Sequence, residues 1–142
     1  MTKQDVLNQV DRLEPLCEES CRFLWNHPEV GGTEEASSAY LRGVLQREGF
    51  RLVNEEKMKN AFYGEYGSGH PVIAVLGEFD ALPGLSQKVS AEKDPVTPNG
   101  PGHGCGHNML GSASLVAALA LKRLMEENHL SGTVRYYGCP ER

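Results

Sequence analysis

An uninterrupted apolar run, VIAVL at residues 72–76, constrains the fold of this chain more than any other stretch. A run of this kind between Pro71 and Gly77, without polar alternation, predicts a strand that is covered on both faces. Two acids, Glu78 and Asp80, follow it directly. Because open α/β sheets bind ligands at the carboxyl ends of their strands, Asp80 is a candidate site residue. The alternative is that Asp80 only caps a turn before the next proline.

Helical patterns lie on both sides of this run. Apolar residues at every third or fourth position predict helix over residues 1–26, in which Pro15 either kinks the helix or begins a second one. A further helix is predicted from an N-cap at Thr33 to Gly49, which suits the left-handed position after a helix end. The Ala- and Leu-rich residues 110–127 predict a helix buried against a sheet.

Three shorter segments have the composition of strands, and they complete the predicted fold. They lie at residues 50–53, 61–66 and 132–138. With the helices, they indicate an α/β fold with a mixed, largely parallel sheet flanked by helices. Residues 84–102, rich in Ser, Pro, Lys and Gly, predict a surface loop long enough to have a function.

The stretch GHGCGHN at residues 102–108 alternates glycines with three possible metal ligands, His103, Cys105 and His107. Imidazole and thiolate are good ligands for zinc, and glycines allow the tight turn that lets alternate side chains converge. Asn108 or a neighbour would cap the following helix, whose dipole would favour a thiolate at Cys105. The spacing is equally compatible with a glycine-rich turn that carries two surface histidines.

Composition excludes several classes of function. The net charge is −5 and no run of Lys or Arg occurs, which argues against binding to nucleic acid or to anionic membranes. No apolar run reaches the length of a membrane span and the first residues lack a signal-peptide core, so we expect a cytoplasmic protein. In a reducing compartment, the four cysteines favour metal or core roles over disulfides. Cys17 and Cys21, on the apolar face of the first helix, are interpreted as core residues.

Three segments taken together resemble a known family. They are GEFDALPG at residues 77–84, GHGCGHN at residues 102–108 and GTVRYYGCP at residues 132–140. The chain resembles the M20 metallopeptidases, in particular their amidohydrolase branch of aminoacylase and hippurate-hydrolase type. The resemblance implies that residues 1–142 are a truncated N-terminal portion of the catalytic domain, without the lid-like dimerisation domain.

The resemblance also implies roles for individual residues. Cys105 and His107 match ligands of a divalent metal, zinc or manganese, which this fragment would bind weakly. Asp80 matches the catalytic-site acid that lies behind the metal and orients a ligand, a role that fixes the tautomer of an imidazole. His103 belongs to the same motif, and we expect a structural or hydrogen-bonding role for it.

The end of the chain departs from the family pattern. In complete enzymes of the family, two adjacent glutamates follow a Cys-Pro context like Cys139-Pro140, and they act as general base and metal ligand. Here Glu141 and Arg142 follow, and an arginine cannot accept a proton. The later histidine and glutamate ligands of the family have no counterpart in the chain.

The expected function is therefore that of a metal-dependent amidohydrolase, present as an incomplete and inactive fragment. The complete enzyme would cleave an N-acyl amino acid, such as an aryl-acyl glutamate, with metal-activated water, and could form homo- or hetero-oligomers of related subunits. One alternative is a non-catalytic remnant or a fragment that binds a partner. Another is a structural metal domain, which two clear ligands cannot close.

Overall fold

The computed structural model describes residues 1–140, which contain four helices and four strands. Glu141 and Arg142, where the sequence departs from the glutamate pair of the family, lie outside the described residues. Within the described range, no helix is both long and apolar enough to span a membrane. The elements in chain order are α1 (Lys3–Arg12), α2 (Glu14–Asn26), α3 (Glu35–Arg47), β1 (Arg51–Asn54), β2 (Phe62–Ser68), β3 (Val72–Glu78), α4 (His107–Glu127) and β4 (Gly132–Cys139).

The strands form one sheet in the order β1-β2-β4-β3. β2 pairs antiparallel with β1 and β4, whereas β3 pairs parallel with β4. Helix α4 packs on β3 and β4, helix α3 packs on β1 and β2, and helices α1 and α2 pack against α4. The predicted mixed α/β architecture is confirmed. The parallel share of the sheet is smaller than expected, because only the β3–β4 pair is parallel among the described strands.

The prediction that β3 is covered on both faces is wrong. β3 lies at the edge of the sheet, and Val72, Ile73 and Leu76 are 44%, 47% and 62% exposed. Among the described residues, β3 has one neighbouring strand, and α4 is the helix that packs on it. An apolar run shows that both faces of a strand could be buried. The helices and strands that would bury them are distant in sequence, and the run does not specify them.

Proline and glycine mark the helix boundaries as the sequence predicted. The first helical segment is interrupted at Leu13, and Pro15 lies in the first turn of α2, so the alternative of a second helix is confirmed. Pro is tolerated there because the first N–H groups of a helix have no partner within the helix. Gly49 follows the end of α3 with a φ of +88°, the left-handed conformation that glycine adopts without a steric cost.

The start of α3 differs from the prediction. Thr33 does not cap the helix, because its hydroxyl donates to the Val30 carbonyl at 2.7 Å. The Glu29 carboxylate takes this role instead, accepting hydrogen bonds from the backbone N–H groups of Ala36 at 3.0 Å and Ser37 at 2.8 Å. A carboxylate at this position also interacts favourably with the helix dipole. The Thr33 prediction failed because it considered only residues that directly precede the helix.

We expect Glu29→Ala to lower the free energy of unfolding by about 1–2 kcal/mol, the usual cost of removing a helix cap. Chemical denaturation followed by far-ultraviolet circular dichroism measures this change. Glu56→Ala is the control, because Glu56 is exposed and lies in the connection between β1 and β2, away from the start of α3. Equal stability of the two variants would show that the Glu29 carboxylate does not cap α3.

Candidate metal centre

The end of β3 and the first turns of α4 lie unusually close together. A Cβ atom on Gly111 of α4 would lie 2.8 Å from the carbonyl oxygen of Glu78, the last residue of β3. From β4, the Tyr136 hydroxyl donates to the Gly111 carbonyl at 3.0 Å. That hydroxyl lies against Gly77, where an added Cβ atom would come within 2.2 Å of the Tyr136 oxygen. Two glycines and one buried tyrosine therefore hold α4 against the carboxyl end of β3.

This contact fixes the position of His107, which is the first residue of α4 and not part of the preceding loop. Gly106 is the N-cap residue, with a φ of +88°, and no side chain caps the helix. Of the two predicted alternatives, Asn108 or a neighbour, the neighbour Gly106 takes the N-cap position. Asn108 lies inside the helix, and its amide donates to the Cys21 sulfur at 3.2 Å. Helix α4 thus begins earlier than its apolar pattern indicated.

His107 is buried between two carboxylates. Its Nδ1 atom lies 2.6 Å from Oδ1 of Asp80, and its Nε2 atom lies 2.8 Å from Oε2 of Glu78. Asp80 and His107 are 6% and 7% exposed, whereas the Glu78 side chain is 36% exposed. Donor atoms of all three side chains lie within 4.8 Å of one another, and we call this group the carboxylate–histidine cluster.

The sequence motifs indicated Asp80 and His107 as site residues but not Glu78. The signal for Glu78 was present, since Glu78 ends the strand and Asp80 follows two residues later, a spacing that in extended chain points side chains in the same direction. The structure brings Asp80 and His107 into direct contact. Cys105 is exposed, with its sulfur 4.0 Å from the Asp80 carbonyl oxygen, so it lies beside the cluster without belonging to it.

The candidate His103 and the thiol of Cys139 lie near the cluster but outside it. His103 is 4% exposed, and neither ring nitrogen makes a hydrogen bond of standard geometry in the described structure. Burial lowers the pKa of His103, although the nearby Leu24 backbone acts in the opposite direction, so this imidazole is neutral near pH 7. Burial, supported by the charge of Glu78, raises the pKa of the Cys139 thiol, which therefore stays protonated.

The donor set suits a divalent cation. Carboxylate oxygen and imidazole nitrogen are ligands of zinc, and imidazole with carboxylate also suits other first-row metals. The contact between Asp80 and Nδ1 of His107 matches the carboxylate–histidine pairs that orient imidazole ligands in metal sites. The described residues thus fit a metal ion, with the Nε2 side of the ring and the partly exposed Glu78 as its nearest donors.

The fold is that of an M20 peptidase. The chain superposes with a TM-score of 0.75 on the YXEP protein of Bacillus subtilis, described as a dinuclear metal binding peptidase of the M20 family. The sequence identity is 24%, and the match covers 92% of this chain and 36% of that protein. At a sequence identity of 24%, this structural similarity establishes the shared fold alone.

The sequence comparisons identify the relatives of the chain. It is 48% identical over 119 residues to a subunit of p-aminobenzoyl-glutamate hydrolase from Escherichia coli, a match that covers 82% of this chain and 25% of the relative. It is 33% identical over 114 residues to an IAA-amino acid hydrolase of Arabidopsis thaliana, covering 80% of this chain and again 25% of the relative. No protein-family model matches the chain.

With the shared fold, these likenesses show that the chain belongs to the M20 family of hydrolases, as its motifs indicated. The chain spans about a quarter of the length of the two curated relatives. Which residues bind metal in this chain, and what the complete protein acts on, are therefore matters for proposal.

We expect Gly111→Ala to destabilise the protein by about 1–3 kcal/mol, because the added methyl group must displace α4 from the end of β3. Gly43→Ala is the matched control on α3, where the added Cβ atom would meet only a side-chain atom of Arg47, at 3.4 Å. Helix propensity alone should stabilise that variant by up to about 1 kcal/mol. Chemical denaturation measures both, and the same stabilisation in both variants would contradict the close approach.

Proposed function

We propose that this chain carries part of the active site of a metal-dependent amidohydrolase. The observation that carries the proposal is the placement of His107, which is buried between the carboxylates of Asp80 and Glu78. An imidazole buried between two carboxylates is a costly core feature unless both acids have a role, and metal ligation gives them one. Membership of the M20 family supports the same interpretation.

Each residue of the site has a separate role in this proposal. Asp80 accepts a hydrogen bond from the protonated Nδ1 of His107, which fixes the tautomer and leaves Nε2 free to bind an ion. Glu78, the most exposed of the three, offers a carboxylate oxygen on the Nε2 side. Cys105, beside Asp80, is a further ligand candidate. A bound divalent metal would supply an activated water and polarise the carbonyl group of the amide.

We further propose that residues 1–140 do not complete the catalytic machinery. Within that range, the carboxylate–histidine cluster is the one group of three metal-binding side chains. If the Glu78 carboxylate serves as a ligand and the Asp80 carboxylate orients His107, neither carboxylate of the cluster is left to take the proton from water. General-base assistance contributes roughly a hundred- to ten-thousandfold to such reactions. The alternative function is that of a non-catalytic metal-binding remnant. In the hydrolase another segment supplies the general base, whereas in the remnant no segment does.

The substrate class follows from the relatives. The names of two of them specify amides of amino acids, p-aminobenzoyl-glutamate and IAA-amino acid conjugates. We therefore propose N-acyl amino acids with an aromatic acyl group as substrates. We also propose zinc or manganese as the metal, assembly with related subunits and a cytoplasmic location. The four free cysteines are consistent with a reducing compartment.

We expect the protein to bind zinc weakly, and we expect His107→Ala to abolish this binding. Asp80→Asn should weaken it by about 10- to 100-fold, as loss of an orienting partner typically does. Isothermal titration calorimetry measures the affinities, with His129→Asn as the control because His129 is exposed and far along the chain, after α4. Binding that is unaffected by both substitutions would place the metal elsewhere.

We expect no release of glutamate from p-aminobenzoyl-glutamate by the 142-residue chain with zinc or manganese present, because residues 1–140 offer no second group of metal-binding side chains beside the cluster. The assay is detection of free glutamate with a homogeneous sample. Turnover that Cys105→Ser or His107→Ala removes would show that the chain is catalytically complete, and the partial-site proposal would then be wrong.

A further inference from the structure

A groove of about 820 Å³ lies between α2, the start of α4 and the loop at residues 87–90. It is separate from the carboxylate–histidine cluster, because none of the three cluster residues lines it. Its walls are largely apolar and rich in sulfur, and they include Cys17, Cys21 and Trp25 from α2, Val89 from the loop, and Met109 and Ala113 from α4. The volume is typical of a pocket for a small organic molecule.

The three α2 residues lie four positions apart, so they form one continuous stripe along the helix. Burial raises the pKa of both Cys17 and Cys21, so both wall residues remain neutral thiols. Trp25 adds a flat aromatic surface next to them. Sulfur atoms and an indole ring together favour an aromatic ligand over an aliphatic one, because sulfur–aromatic contacts and ring stacking both contribute.

The polar groups of the groove indicate where the ligand carries its charge. The Arg22 guanidinium at the rim is exposed and makes no ion pair with any described residue. Lys88, also at the rim, is already paired with Asp94 at 2.9 Å. Glu18 lines the same rim and opposes an anion. Arg22 is thus the cation available to a ligand, and its planar guanidinium matches a carboxylate.

His103 provides a second, independent sign of a ligand. It lines the groove while 4% exposed, and neither ring nitrogen makes a hydrogen bond of standard geometry in the described structure. The Leu24 backbone interacts with at most one ring nitrogen, so the other is buried without a partner among the described residues. Such a group is costly to bury, and a polar substituent on a ligand would satisfy it. Asn108, which also lines the groove, already donates its amide to the Cys21 sulfur.

We infer that this groove binds a small aromatic carboxylate, with the ring between Trp25 and the sulfur-bearing side chains and the carboxylate at Arg22. A hydrogen-bonding ring substituent opposite the carboxylate would reach His103. This site is distinct from that of the proposed hydrolase function, since none of the groups that bind the ligand belongs to the carboxylate–histidine cluster. An aromatic carboxylate is also the acid that hydrolysis of the proposed substrates would release. Binding therefore needs no metal.

Intrinsic fluorescence tests the inference directly, because Trp25 is the only tryptophan of the chain. Benzoate, titrated with EDTA present, should quench or shift this fluorescence in a saturable manner, and 4-hydroxybenzoate should bind more tightly. Benzamide, which lacks the charge, should bind about tenfold more weakly than benzoate. Because EDTA removes metal, this result is independent of whether the hydrolase proposal holds.

Three variants and one control variant assign the contacts. Arg22→Gln should reduce the affinity for benzoate to that for benzamide, whereas Arg47→Gln, at an exposed arginine on α3, should change neither. Glu18→Gln should tighten benzoate binding by removing an opposing charge. Ala113→Leu should block both ligands by filling the groove, and circular dichroism verifies that each variant is folded.

Two results would overturn the inference. One is benzoate binding that is absent, or that Arg22→Gln and Ala113→Leu leave unchanged in folded protein. The other is sedimentation showing that the chain self-associates, with the Trp25 fluorescence changing with protein concentration and not with benzoate. The groove would then be an interface between two copies of the chain.

Discussion

The close approach of α4 to the end of β3 is the contact on which the rest of the site depends. It needs a glycine at position 111, because any side chain there would meet the Glu78 backbone, and a donor at Tyr136 to satisfy the Gly111 carbonyl. Burial raises the pKa of Tyr136, so its hydroxyl remains a neutral donor. With α4 held in this way, His107 in its first turn lies between Glu78 and Asp80.

The side chains around the start of α4 face two different environments, the polar cluster and the apolar groove. Consecutive helical residues point about 100° apart. His107 accordingly faces the two carboxylates, while Asn108 faces Cys21 and the apolar groove. His103, before the helix, also lines the groove, whereas Cys105 lies beside Asp80. The glycine-rich motif therefore does not direct all of its polar side chains to one point. Cys105 and His107 lie on the side of the polar cluster, whereas His103 and Asn108 line the apolar groove.

Local signals in the sequence predicted much of this fold, and distant contacts account for what they missed. Pro15 and Gly49 act through their own backbone conformations, so the helix boundaries they mark could be predicted. The Glu29 cap and the position of β3 at a sheet edge depend on residues that meet only after folding. The pairing of Asp80 with His107 was predictable because both lie at the carboxyl edge of the sheet. Glu78 was missed although it shares that edge.

The state of the two His107 nitrogens when zinc is added tests the proposed metal site most directly. Nitrogen-15 NMR of histidine-labelled protein distinguishes a metal-bound nitrogen from one that carries a proton. We expect Nε2 of His107 to bind zinc while Nδ1 keeps its proton and its hydrogen bond to Asp80. Coordination through Nδ1, or a His107 signal that zinc leaves unchanged, would contradict the proposed site.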